Sequence, residues 1–141
     1  MAKDKLHDIV EAALVKDGWI NIKSITLNYE GTDLNVDIIA DKLISAEKEN
    51  LQIVVEVKSF GNPSVTYDFH QALGQYLHYR MALGYLGINR IPYLALPEVI
   101  YTNYLTQPFF QDSISLHCVN LFTIDTQRLE IVRWNPSLLL P

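Results

Sequence analysis

The stretch Ile53-Val54-Val55-Glu56-Val57-Lys58-Ser59-Phe60 places an acid and a base two positions apart in a run that is otherwise apolar. In a β-strand, residues i and i+2 project from one face. Glu56 and Lys58 therefore point the same way, with Val54, while Val55 and Val57 point to the other face. A central strand of an α/β sheet is covered on both sides. A charge placed there must be paired, bind a metal or change its protonation.

The flanking residues supply the rest of a sheet. Residues 19–29 and 33–45 read as two strands before the 51–60 strand, separated by short polar connections at Glu30-Gly31-Thr32-Asp33 and Glu47-Lys48-Glu49-Asn50. Connections this short predict an antiparallel meander. Before it, Leu6, Ile9, Val10, Ala13 and Leu14 recur at helical spacing, which predicts a helix over 3–17 with Gly18 as its left-handed stop. After it, Phe69, Leu73, Tyr76, Leu77 and Leu83 mark a long helix over 65–87, capped by Ser64 or Thr66. Tyr93-Leu-Ala-Leu96 reads as a strand that returns parallel to 51–60 through a right-handed crossover. Residues 97–113 read as partly helical, and 116–124 and 128–134 as strands. The order αβββαβ with an αββ tail predicts an α/β domain with a mixed central sheet.

Composition narrows the class. The 141 residues suit one domain over residues 1–141, and 49% hydrophobic content argues against disorder. No apolar run reaches the roughly 20 residues that span a bilayer, so no membrane partner is expected. The single cysteine, Cys118, has no internal disulfide partner, which with the missing leader pattern points to a reducing, cytoplasmic setting. A net charge of −5 argues against a chain built for non-specific DNA binding.

The strand before 51–60 carries two acids on one face, Asp37 and Asp41. Hairpin register decides which meets Glu56. A turn centred between Ala46 and Glu47 sets Asp37 opposite Glu56. One centred between Lys48 and Glu49 sets Asp41 there instead. Two acids and a lysine on adjacent strands suit metal-assisted phosphodiester hydrolysis, because hard carboxylate oxygens suit Mg²⁺ (or Mn²⁺) and a lysine stabilises charge on phosphate oxygens. The same spacing also fits a plain Glu–Lys or Asp–Lys pair at a strand end.

D-x18-E-V-K on a hairpin between two helices resembles the PD-(D/E)XK superfamily, whose fold is restriction endonuclease-like. More closely, the chain resembles the XisH family of cyanobacterial fdxN element excision controlling factors. The resemblance rests on K-D-x-x-H-D-x-V-x-x-A-L (Lys3 to Leu14), D-G-W (Asp17 to Trp19), V-D-x-x-A-D (Val36 to Asp41), A-E-K (Ala46 to Lys48) and V-E-V-K-S-F (Val55 to Phe60). It continues through A-L-G-Q-Y-x-x-Y-R (Ala72 to Arg80), Y-L-A-x-P (Tyr93 to Pro97) and E-I-V-x-W (Glu130 to Trp134). It implies a part in the programmed DNA rearrangement that removes an element during heterocyst development, alongside a recombinase and an XisI-like partner protein.

Carried over, the nuclease core would be Asp37, Glu56 and Lys58, with the Val57 carbonyl as a further metal ligand. Val36 stands where that superfamily usually has proline. Gln75 and Tyr79 resemble an accessory Q-x3-Y motif of one nuclease branch, and Gln71 extends the row. On the first helix, Glu11 would be the acid that reaches the metal in such proteins, with His7 on the same face. Arg80 would pair with a buried acid or contact phosphate. Two functions are expected from this: a Mg²⁺-dependent endonuclease-like protein acting on DNA, with a homodimer suited to cutting two strands, or a non-catalytic factor that keeps the fold and binds a partner.

Overall fold

The computed structural model describes residues 5–44 and 50–138. Lys3 and Asp4 of the opening motif, Ala46 to Lys48 and both candidate turn centres lie outside them. Helix α1 spans Lys5–Lys16, and strands β1, β2 and β3 span Ile20–Tyr29, Thr32–Lys42 and Leu51–Val57. The long helix α2 covers Val65–Leu86 and leads into β4, Ile91–Pro97. A short helix α3, Glu98–Ile100, continues as one π-helical turn over Tyr101–Leu105, and α4 follows at Pro108–Leu116. Strands β5, Leu121–Asp125, and β6, Glu130–Asn135, complete the chain.

The six strands form one mixed sheet in sequential order. β1–β2 and β2–β3 are antiparallel, β3–β4 and β4–β5 parallel, and β5–β6 antiparallel. The expected meander and the parallel crossover through α2 are both present. Alternation along the strands divides two cores. Ile53, Val55, Tyr93, Ala95, Phe122 and Ile124 pack beneath α1. On the other face Leu94, Leu96 and Leu121 meet Phe69, Ala72 and Tyr76 of α2, and Val54 and Ile39 meet Tyr79, Ala82 and Leu83.

Helix ends follow one motif three times. Gly18, Gly87 and Cys118 each adopt positive φ (93°, 68° and 52°). At each, the following amide bonds back to the helix: Trp19 to Leu14, Ile88 to Leu83 and Val119 to Ile114. This is the Schellman arrangement, which favours glycine. Cys118 in that role explains one difference from the sequence reading. The expected 116–124 strand begins only at Leu121, because α4 runs through Leu116 and closes on His117–Cys118. The 51–60 strand likewise stops at Val57, and Phe60 turns into the core at φ 57°.

Asp41 closes the far end of the β2–β3 pair. Its Oδ1 lies 2.9 Å from Arg90, whose guanidinium also donates to the Ala40 and Ile53 carbonyls at 3.3 and 3.2 Å. A bulge in β1 turns Asn21 to donate to Asp41 Oδ2 at 3.0 Å. Removing one partner of a largely buried pair leaves the other uncompensated. Arg90→Met should therefore lower unfolding free energy by about 3 kcal/mol in urea denaturation. Asp41→Leu combined with Arg90→Met should recover much of that loss.

Candidate active site

The register of β2 against β3 pairs Ile38 with Val55, which sets Asp37 directly beside Glu56. Asp41 instead pairs with Gln52, four residues and about 13 Å along the strand. Asp41 is therefore corrected from a site candidate to a structural one. Asp37 is fixed from the backbone: its Oδ2 accepts from the Val57 N–H at 2.9 Å. Lys58 continues the strand for one further bond, donating its N–H to the Ala95 carbonyl. Its side chain then reaches α2, where Nζ donates to Gln75 Oε1 at 2.9 Å.

Glu56 is 5% exposed and its Oε2 has no hydrogen-bond partner. Burial, and then the adjacent Asp37 carboxylate, raise its pKa from 4.5 to about 8. Tyr79 and Lys58 oppose that shift. Tyr79 opposes it more than Lys58 does, and its hydroxyl also donates to the Asn35 carbonyl at 2.7 Å. Tyr79 is itself buried, and desolvation followed by the charge of Glu56 raises its own pKa. Four elements thus meet here: β2 gives Asp37, β3 gives Glu56, the chain beyond it gives Lys58, and α2 gives Gln75 and Tyr79.

The other expected residues separate from this group. His7 Nε2 and Glu11 Oε1 pair with each other at 3.3 Å. Among the described residues no three His, Cys, Asp or Glu side chains gather to hold a metal, so Glu11 does not join Asp37 and Glu56. Arg80 meets no acid among the described residues. It donates to the His117 carbonyl at 2.6 Å and lies over the Tyr76 ring, which ties α2 to the turn before β5. Gln71 is exposed, donates to the Tyr67 hydroxyl at 2.9 Å and lines a cleft beside Lys58.

Two contributors escaped sequence reasoning. The Asn35 carbonyl anchors Tyr79, and backbone acceptors leave no residue-type signal. Asp68 is buried in the first turn of α2, where its Oδ2 accepts from the Asn62 N–H at 3.0 Å and holds the loop after Lys58. An acid in a helix's first turn was the available signal.

A buried carboxylate oxygen without a donor, next to a second carboxylate, fits a hard divalent cation. Mg²⁺ is held by one or two carboxylates and keeps several waters. Asp37 and Glu56 would be its side-chain ligands; the pair alone is short of an all-protein cage.

The raised pKa of Glu56 has a stability consequence whose sign is fixed. Between pH 4.5 and about 8 the folded protein keeps a proton on Glu56 that the unfolded chain has lost. The folded state then binds more protons, so stability falls as pH rises through that window. Glu56→Gln should remove this fall. The variant should match wild type near pH 4 and exceed it by roughly 2–4 kcal/mol at pH 8 in urea unfolding.

Comparison with known proteins agrees with this architecture. A family model described as "XisH protein" matches residues 1–132. A crystal structure of an XisH family protein from Nostoc punctiforme PCC 73102 superposes with a TM-score of 0.83 at 34% identity, covering 93% of this chain and 98% of that one. The structure of a fdxN element excision controlling factor protein from Anabaena variabilis gives a TM-score of 0.81 at 34% identity, covering 94% and 98%. No curated protein matches. With one family model spanning nearly the whole chain and two solved relatives of the same fold and length, the chain belongs to the XisH family.

Proposed function

We propose that this protein acts in fdxN-type element excision as a metal-dependent DNA phosphodiesterase of the PD-(D/E)XK, restriction endonuclease-like kind. One observation carries the reading: the buried, partnerless Glu56 Oε2 beside Asp37, with the Lys58 ammonium on the same face. A stability-driven core has no use for such a carboxylate, since burial without a partner costs free energy.

The residues divide the work. Asp37 and Glu56 would hold Mg²⁺, with the Val57 carbonyl as the further ligand the superfamily resemblance implies. The cation would polarise the scissile phosphate and acidify a bound water. Lys58 meets the charge that builds on the phosphate oxygens, where a fixed cation needs no rearrangement during reaction. Gln75 accepts from Lys58 and so fixes its position. Tyr79, tied to Asn35, walls the far side of Glu56 and keeps water from it.

A second reading is a factor that retains this site without turnover and works through a protein partner such as an XisI-like subunit. The acidic balance of −5 favours it, because phosphate contacts must then come from elsewhere. Supercoiled plasmid with Mg²⁺ or Mn²⁺, with and without the partner, separates the two. The nuclease reading expects nicking by wild type and none by Glu56→Ala or Lys58→Ala. Nicking that persists equally in both variants would reject it, as would a wild type that takes up no Mg²⁺ in calorimetry. Gln75→Ala should slow cleavage roughly tenfold while Mg²⁺ uptake stays at the wild-type level, since it frees the lysine without touching the carboxylates.

A further inference from the structure

An open cleft of about 490 Å³ adjoins the site and shares Val57 and Lys58 with it. Its far wall is the loop from Ser59 to Pro63, and Gln71 of α2 closes it. The loop is held in place: Phe60 is buried, Asn62 N–H donates to the buried Asp68, and Ser64 caps α2 through the Tyr67 N–H at 3.1 Å. Among the described residues the Asn62 side-chain amide has no hydrogen-bond partner, and the residue is exposed. The Tyr67 ring is 51% exposed, and its hydroxyl accepts from Gln71, which lines the cleft.

The cations tell what kind of strand suits this cleft. Continuous duplex is held chiefly through many phosphate contacts by lysine and arginine. Among the described residues Lys16, Lys42, Arg80, Arg90 and Arg133 are each engaged by a carboxylate or a carbonyl of the same chain, and Lys58 is the one cation that lines the cleft. Single strands add stacking of their bases on aromatic rings to the cationic contacts along their backbone. A cleft lined by the Asn62 amide and one lysine, with the exposed Tyr67 bonded to its lining residue Gln71, has those parts on a small scale. Its size is in the range of small-ligand sites, enough for one nucleotide but not for a duplex.

We propose that the cleft receives one unpaired nucleotide next to the phosphate at Asp37 and Glu56, so that the protein works at single-stranded or unpaired DNA instead of continuous duplex. This rests on the metal-site reading above and extends it to the form of the substrate. Tyr67 stacks on the base, while Asn62 and Gln71 meet its edge or the sugar. These are binding residues for the strand, apart from the hydrolytic group.

Fluorescence anisotropy with a short labelled single strand and a blunt duplex of equal length tests it, in EDTA and again in Ca²⁺. The single strand should bind at least tenfold tighter than the duplex, and Tyr67→Ala should weaken it roughly tenfold. Asn62→Ala should weaken it less. Both positions are exposed, so folding is retained, as circular dichroism and wild-type Mg²⁺ uptake would verify. Duplex binding equal to or tighter than single-strand binding overturns the proposal, as does unchanged single-strand affinity in both variants. A wild type that takes up Mg²⁺ yet ignores the single strand overturns this proposal and spares the metal site. One that binds the single strand as expected without taking up Mg²⁺ supports the cleft and rejects the metal site.

Discussion

The pairing of Ile38 with Val55 is the constraint on which the rest depends. It brings two carboxylates side by side on the α2 face of the sheet, where Coulomb repulsion and lost solvation both resist a second negative charge. Every neighbouring feature answers that arrangement. The Val57 amide satisfies Asp37, Lys58 offsets the pair's charge, and Tyr79 opposes the shift at Glu56 while also donating to the Asn35 carbonyl. A shift of the pairing by four residues would set Asp41 in place of Asp37 beside Glu56. The Arg90 clamp on Asp41 and on the carbonyls of both strands fixes the register from the opposite end.

Much of this was legible in the sequence. Alternation and helical spacing identify the strands and the two main helices, and short polar connections identify the meander. The pair Glu56 and Lys58 on one face follows from period two alone. The choice between Asp37 and Asp41 did not follow, because a hairpin's register depends on its turn and a shift of turn centre by two residues preserves every face. The end of α4 was missed because Cys118 occupies a position where glycine is the usual signal. The contact of Arg80 with the His117 carbonyl was not legible, because composition does not reveal a backbone acceptor. The same holds for Tyr79 and the Asn35 carbonyl.

Charge is distributed unevenly through the molecule. Arg90 and Arg133 act as internal fasteners, Arg133 holding Glu98 in a two-pronged pair at 2.9 and 2.7 Å beside the buried Thr123. Such guanidiniums organise the sheet's ends and are not free for a ligand. Lys58 differs, because its hydrogen-bond partner among the described residues is a neutral amide, Gln75. The field around the candidate site is therefore shaped by very few groups, and each of them lies between residues 37 and 79.

Glu56 also sets selection for stability against selection for activity. An uncharged residue at its position would make the folded chain sturdier at neutral and alkaline pH, and nothing in the surrounding core would object. Mutational drift in a lineage that no longer used the site would find that exchange easily. An acid in so unfavourable a place is a standing cost to the fold, which a use of the site would have to outweigh.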